Sequence, residues 1–208
     1  MNLIPLTSVL LFCFILSIAI RRSNKRDESI NADFLETVKA SRTAPPAPLS
    51  ELHFISFPEE LLKDIPCDDK KLQDQLDTLR RLAKTPVINL HGLTNAEIRD
   101  AYGDEKYNEL VSADERYLTL CRVLINLSDS CIRNGMTDEA EAFLLFAIDT
   151  GSDSYDVWHG LGMLYMENVR DRDALGDLIE RAKSIKGPNG KRIQKALQNI
   201  MSLSLVYF

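Results

Sequence analysis

Apolar positions along this chain follow several rhythms, and each predicts a different element. Residues 3–20, "LIPLTSVLLFCFILSIAI", have no period at all: eighteen positions pass without a charge, and "RRSNKR" follows at once. At ~1.5 Å of rise per residue such a helix spans ~27 Å, enough for a thin bilayer. From Asp69 a helical period takes over. Leu72, Leu76, Leu79 and Leu82 recur at spacings of four, three and three with charges opposite, which predicts an amphipathic helix that ends before Pro86 and the apolar run "VINL". Between these two lie a polar stretch (21–33), a short helix candidate (33–41) and "TAPPAP", whose prolines favour an extended spacer. "LHFISF", residues 52–57, is strand-like in composition but stopped by Pro58, and reads as an extended segment on a helical body or a lone edge strand.

Two capping boxes come next, Thr94-x-x-Glu97 and Ser112-x-x-Glu115, in which each hydroxyl accepts from a first-turn amide while the glutamate reaches back. They predict helix starts near Asn95 and Ala113. Gly103 should break the first of these helices, and the second should run to Asn134 with Gly135 as its stop. Near the end, "KRIQKALQNIMSL" (191–203) puts Ile193, Leu197 and Ile200 on one face, as a terminal capping helix would. Gly187 and Gly190 frame a Pro-Asn turn before it, and the final "LVYF" is read as folding back on it.

Sliding the sequence by 34 residues brings Leu124 onto Trp158, Leu127 onto Leu161, Ser128 onto Gly162, Cys131 onto Tyr165, Ala140 onto Ala174 and Leu144 onto Leu178. Large, large, small and large residues at i, i+3, i+4 and i+7 make a ridge with one shallow point, where a second helix can approach. This period and these residues resemble the tetratricopeptide repeat (TPR) family, whose pattern is W-x2-L-G-x2-Y followed by A-x3-F and a small residue. The second copy matches at Trp158, Leu161, Gly162, Tyr165 and Ala174, with Leu178 in the Phe position. It departs later, with Ala182 one place beyond the expected small residue and Lys186 where the family prefers Pro. The first copy is more degenerate and keeps Gly135, Ala140 and Ala147.

The resemblance implies an all-α fold of helical-hairpin repeats. The expected organisation is a transmembrane anchor (1–20), a juxtamembrane linker (21–48), an extended segment (49–68), degenerate upstream helices (69–111), two repeats (112–188, about 121–154 and 155–188), and a capping helix and tail (189–208). Repeat packing falls to Leu124, Leu127, Gly135, Ala140, Leu144, Ala147, Trp158, Leu161, Gly162, Tyr165, Ala174 and Leu178. The resemblance also implies a concave partner groove at Arg122, Ile125, Asp129, Ile132 and Arg133, and at Asp156, His159, Met163, Met166 and Glu167. Ile125 and Asp129 stand where chaperone-tail clamps carry Lys and Asn, so that clamp is not expected. Adaptable methionines beside isoleucines suit an apolar helix or an extended peptide. The competing expectation is that residues 49–62 of the same chain cover this surface.

Charge sharpens the picture. Residues 21–26 carry +4 and residues 181–208 carry +6, which against a total of −6 leaves −16 on residues 27–180. A body this acidic repels nucleic acid, so no nucleic-acid partner is expected. The basic tail either meets anionic lipid or complements helix ends and the acidic body. The bilayer itself is the partner of residues 3–20. Arg21, Arg22, Lys25 and Arg26 flank only the C-terminal side of that run, which orients the N-terminus outward and the domain into the cytoplasm. A cleaved export signal is disfavoured, since no basic residue precedes the run and no small-x-small site follows it. Cys13 lies in the anchor, and Cys67, Cys121 and Cys131 show no CxxC spacing, which points to free thiols.

No catalytic chemistry stands out. His53, His91 and His159 are scattered, no phosphate-binding glycine loop is present, and Cys67-Asp68-Asp69 precedes a helix that an aspartate would start. The expectation is therefore a non-enzymatic, membrane-anchored scaffold for a protein or peptide partner, without cofactor or metal. The alternative is an exported structural subunit of an envelope assembly.

Overall fold

The computed structural model describes residues 52–167 and 172–206. Among these the fold is all-α, with six α-helices, one 3-10 turn (Glu59–Leu62) and no strand. The helices are α1 (Lys70–Leu82), α2 (Asn95–Arg133), α3 (Thr137–Asp149), α4 (Tyr155–Glu167), α5 (Arg172–Ala182) and α6 (Gly187–Val206). Within the described residues, chain contacts separate residues 93–107 from a larger unit of 52–92 and 108–206. The proposed anchor at 3–20 and the linker to 48 lie outside the described residues, and no described helix is long and apolar enough to cross a membrane.

In the smaller unit the first capping box forms as its sequence dictates. The Thr94 amide and hydroxyl both donate to Glu97 Oε2 (2.6 and 2.8 Å), and the Glu97 amide returns to the Thr94 hydroxyl at 3.3 Å. These contacts hold the Glu97 carboxyl below its ordinary range. The Arg99 guanidinium lies 4.1 Å from the Tyr107 ring centroid. Gly103, at φ 80° and ψ 160°, breaks the helical geometry inside α2.

In the larger unit, the Asp69 carboxylate accepts from the amides of Lys71 and Leu72 and so starts α1. All four leucines of the period, Leu72, Leu76, Leu79 and Leu82, are buried. The segment before α1 is extended and packed on the helical body. Ile55 N–H donates to the Val87 carbonyl at 2.9 Å, and the Phe57 ring tilts against Phe146 at 5.7 Å. "VINL" forms an extended strap beside α2: Val87, Ile88 and Leu90 are buried, and the Leu90 amide donates to Asp114 Oδ1 at 2.9 Å.

The second capping box does not start a helix. Ser112 lies inside α2, because the residues after Gly103 already form helix and their carbonyls satisfy the amides that Ser112 would have capped. The boundary expected at 112 therefore falls mid-helix. At the other end of α2, Gly135 takes φ 74°, the Met136 amide reaches back to Cys131 and the Gly135 amide to Ile132. Gly151 repeats this arrangement at the end of α3 through Ser152 to Ala147 and Gly151 to Ile148. These two glycine stops turn α2 into α3 and α3 into α4.

Helix α4 packs on α3, α5 and α6. Gly162 is its shallow point: a Cβ there would lie 2.7 Å from Leu197 and 3.1 Å from Ile200 of α6. The capping helix begins earlier than its pattern indicated, since Gly187-Pro188-Asn189-Gly190 forms the first turn of α6. Proline in a first turn gives up only an amide that has no partner there. Ile193, Leu197 and Ile200 are buried, and α6 continues through Leu205 and Val206; Tyr207 and Phe208, the rest of the segment expected to fold back, lie outside the described residues.

Candidate partner-binding face

Burial separates the repeat positions into two groups. Leu124, Leu127, Ala140, Leu144, Ala147, Trp158, Leu161, Gly162 and Leu178 are buried. Tyr165 and Ala174 are half-buried, and Gly135 is an exposed turn residue. Tyr165 lies near enough to α3 for its hydroxyl to donate to Glu141 at 2.9 Å. Beside half-buried Ala174, its neighbour Leu175 is the residue that enters the core.

None of the ten groove positions is buried. Arg122, Asp129, Arg133, Asp156 and Glu167 are exposed, Ile132 is 38% exposed, and Ile125, His159, Met163 and Met166 are half-buried. Residues 52–62, the described part of the segment expected to cover them, instead contact the strap at Val87, Phe146 of α3, and Arg80 of α1, whose guanidinium donates to the Leu62 carbonyl at 3.0 Å. On α2 the groove residues share one helical face, and Leu118, 54% exposed, extends it by about one turn. On α4, His159 stacks on Tyr155 at 5.2 Å, and the guanidinium of Arg192 on α6 lies 4.0 Å from the centroid of the same tyrosine ring. Leu118 and Tyr155 are absent from the groove read off the repeat pattern. Leu118 lies before the first repeat, and its signal is the seven-residue spacing it shares with Ile125 and Ile132.

A cleft of about 410 Å³ near the Gly151 turn is lined in part by His91, Asp153, Trp158, Arg181 and Lys186. Its polar walls are largely committed to one another or to neighbours: His91 Nε2 to Asp153 at 3.6 Å, Asn189 to Asp153 at 3.1 Å, and Arg181 to Asp149 at 2.6 Å. Cys67, Cys121 and Cys131 are free thiols. Burial pushes Cys131 up to about 12 and raises Cys121 as well, the reverse of what a nucleophilic cysteine needs. Asp69, in the suggestive Cys-Asp-Asp cluster, is spent as the cap of α1 and as acceptor for Asn134 Nδ2 at 3.2 Å. Among the described residues, no group of three His, Cys, Asp or Glu is placed to hold a metal ion.

No protein-family model, curated protein or solved structure matches this chain.

Proposed function

We propose that this chain is a non-catalytic, TPR-like interaction module, anchored to a membrane by residues 3–20, whose helical domain holds a protein partner on the cytoplasmic face. The observation that carries the reading is the contrast between the two sets of positions. Residues at the repeat's packing positions are mostly buried, whereas those at its ligand positions all remain accessible and pair apolar side chains with charges. Ile125, Ile132, Met163 and Met166 give a partner apolar area, and Met adapts its shape to an irregular apolar surface. The flanking Arg122, Asp129, Asp156 and Glu167 supply register without a strongly signed field. Two hairpins alone bury little core, and α1 and α6 supply the further surfaces that a short stack requires.

The test is capture from detergent-solubilised membranes with the full chain as bait. Replacing Met163 and Met166 with Ser should lower the melting temperature only modestly, since both are half-buried against the core, while partner recovery drops sharply. A variant that keeps both its stability and its recovered partners would sink this face as the binding surface.

A further inference from the structure

The α2 half of the face carries a feature that a generic peptide groove does not require, namely self-complementarity. Leu118, Ile125 and Ile132 recur at seven-residue intervals on the accessible side of the helix, so they form a nearly straight apolar line. The two ends of that line are the most exposed, Leu118 at 54% and Ile132 at 38%. Arg122 stands three residues before Ile125 and Asp129 four after it, on the same side. Among the described residues neither forms an ion pair. They also cannot pair with each other, since seven residues put them ~10 Å apart along the axis.

We infer that this face takes a second copy of the chain, docked antiparallel along α2 about a twofold axis beside Ile125. The inference rests on the proposed reading of α2 as partner surface and names the partner for that half of it. A twofold axis at that point sets Ile125 against the partner's Ile125, Leu118 against the partner's Ile132, and Arg122 within one residue of the partner's Asp129. Leu118, Ile125 and Ile132 then each meet an apolar residue, and Arg122 and Asp129 each meet their opposite, twice, while Arg133, hydrogen-bonded to Ser130 at 2.8 Å, lies at the end of the line. This is the requirement an isologous interface places on a single surface. A parallel pairing in register fails it, because Arg122 would face Arg122 and Asp129 would face Asp129. The α4 half of the face, with Met163 and Met166, stays available to another partner.

The experiment compares oligomeric state for the full chain in detergent, by light scattering or sedimentation, for four proteins: the parent, Arg122→Asp, Asp129→Arg, and the double exchange. Both positions are exposed, so melting temperature should be unchanged and serves as the check on folding. The parent should dimerise. Each single variant should weaken the dimer by about tenfold or more, because it places like charges against each other twice, and tenfold corresponds to ~1.4 kcal/mol. The double exchange should restore the dimer. An equal mixture of the two single variants should form heterodimers, since Arg122→Asp carries acid at both positions, Asp129→Arg carries base at both, and each charge then meets its opposite across the axis. A monomeric parent, single variants that dimerise as the parent does, or a mixture that stays monomeric overturns the inference. Those outcomes leave the capture result at Met163 and Met166 untouched, so failure of the dimer and failure of the interaction module are distinguishable.

Discussion

The indole Nε1–H of Trp158 donates to the carbonyl of Ser152 over 2.7 Å, so one side chain both fills the core and closes the Gly151 turn. The ring is 4% exposed, and Ser152 is itself buried. Trp158→Ala should cost ~3 to 5 kcal/mol, enough to unfold a domain of ordinary stability. Trp158→Phe keeps most of the apolar volume but strips a buried carbonyl of its donor, and should cost an intermediate amount, ~1 to 3 kcal/mol. Chemical denaturation of the three proteins checks the order; equal midpoints for parent and Phe variant would show that the carbonyl is satisfied another way.

Two glycines in neighbouring helices should respond to alanine with opposite signs. A methyl at Gly162 would stand 2.7 Å from a Leu197 methyl and 3.1 Å from one of Ile200, so α6 must shift or the side chains must leave their rotamers. Gly162→Ala should destabilise by ~1 to 3 kcal/mol. A methyl at Gly176, inside α5, meets nothing within 4 Å. Gly176→Ala should stabilise by ~0.5 to 1 kcal/mol, because alanine has less backbone entropy to lose in a helix. Thermal melts decide it, and a destabilised Gly176→Ala would mean that α5 is packed more closely there.

These contrasts mark what was legible in the sequence. Periodicity placed the buried leucines of α1 and the apolar face of α6, since a 3.6-residue period records burial directly. The Thr94 box and the Gly135 stop were legible because their chemistry is local. The Ser112 box misled for a related reason: a cap acts only where the helix would otherwise begin, and that depends on residues upstream. Gly162 was recognised as a point of close approach, but its neighbour in space is α6, more than thirty residues away, and no local pattern names it. The accessible face of α2 was half visible, because the repeat pattern begins after Leu118.

The proposed membrane orientation rests on charge and is testable apart from the fold. Arg21, Arg22, Lys25 and Arg26 directly follow the apolar run, the side that the positive-inside rule assigns to the cytoplasm. A reporter fused after Phe208 should be active only as a cytoplasmic reporter, and the mature chain should keep residues 1–20. An N-terminus found beyond residue 20, or strong activity of an export-dependent phosphatase fusion, would favour the exported subunit instead.

Alkaline pH should loosen the fold, and the sign follows from the buried acids. Cys131 is fully buried, and that burial, with the negative charge of Glu139 and the nearby Cys67, pushes its thiol from the ordinary 9.0 up to about 12. The folded chain therefore keeps this proton between those values while the unfolded chain releases it, so unfolding sheds a proton and rising pH favours it. The contribution is whole below about pH 9 and is lost progressively as pH rises through about 12. Cys121 and Tyr117 are raised in the same direction, mainly by burial, and add to the slope. Melting temperature should thus hold near neutrality and fall above about pH 9. Cys131→Ala should melt lower than the parent at neutral pH through lost packing, yet its decline in alkali should be shallower, with Cys121 and Tyr117 keeping it from vanishing. A decline as steep as the parent's would show that the Cys131 thiol is not its source.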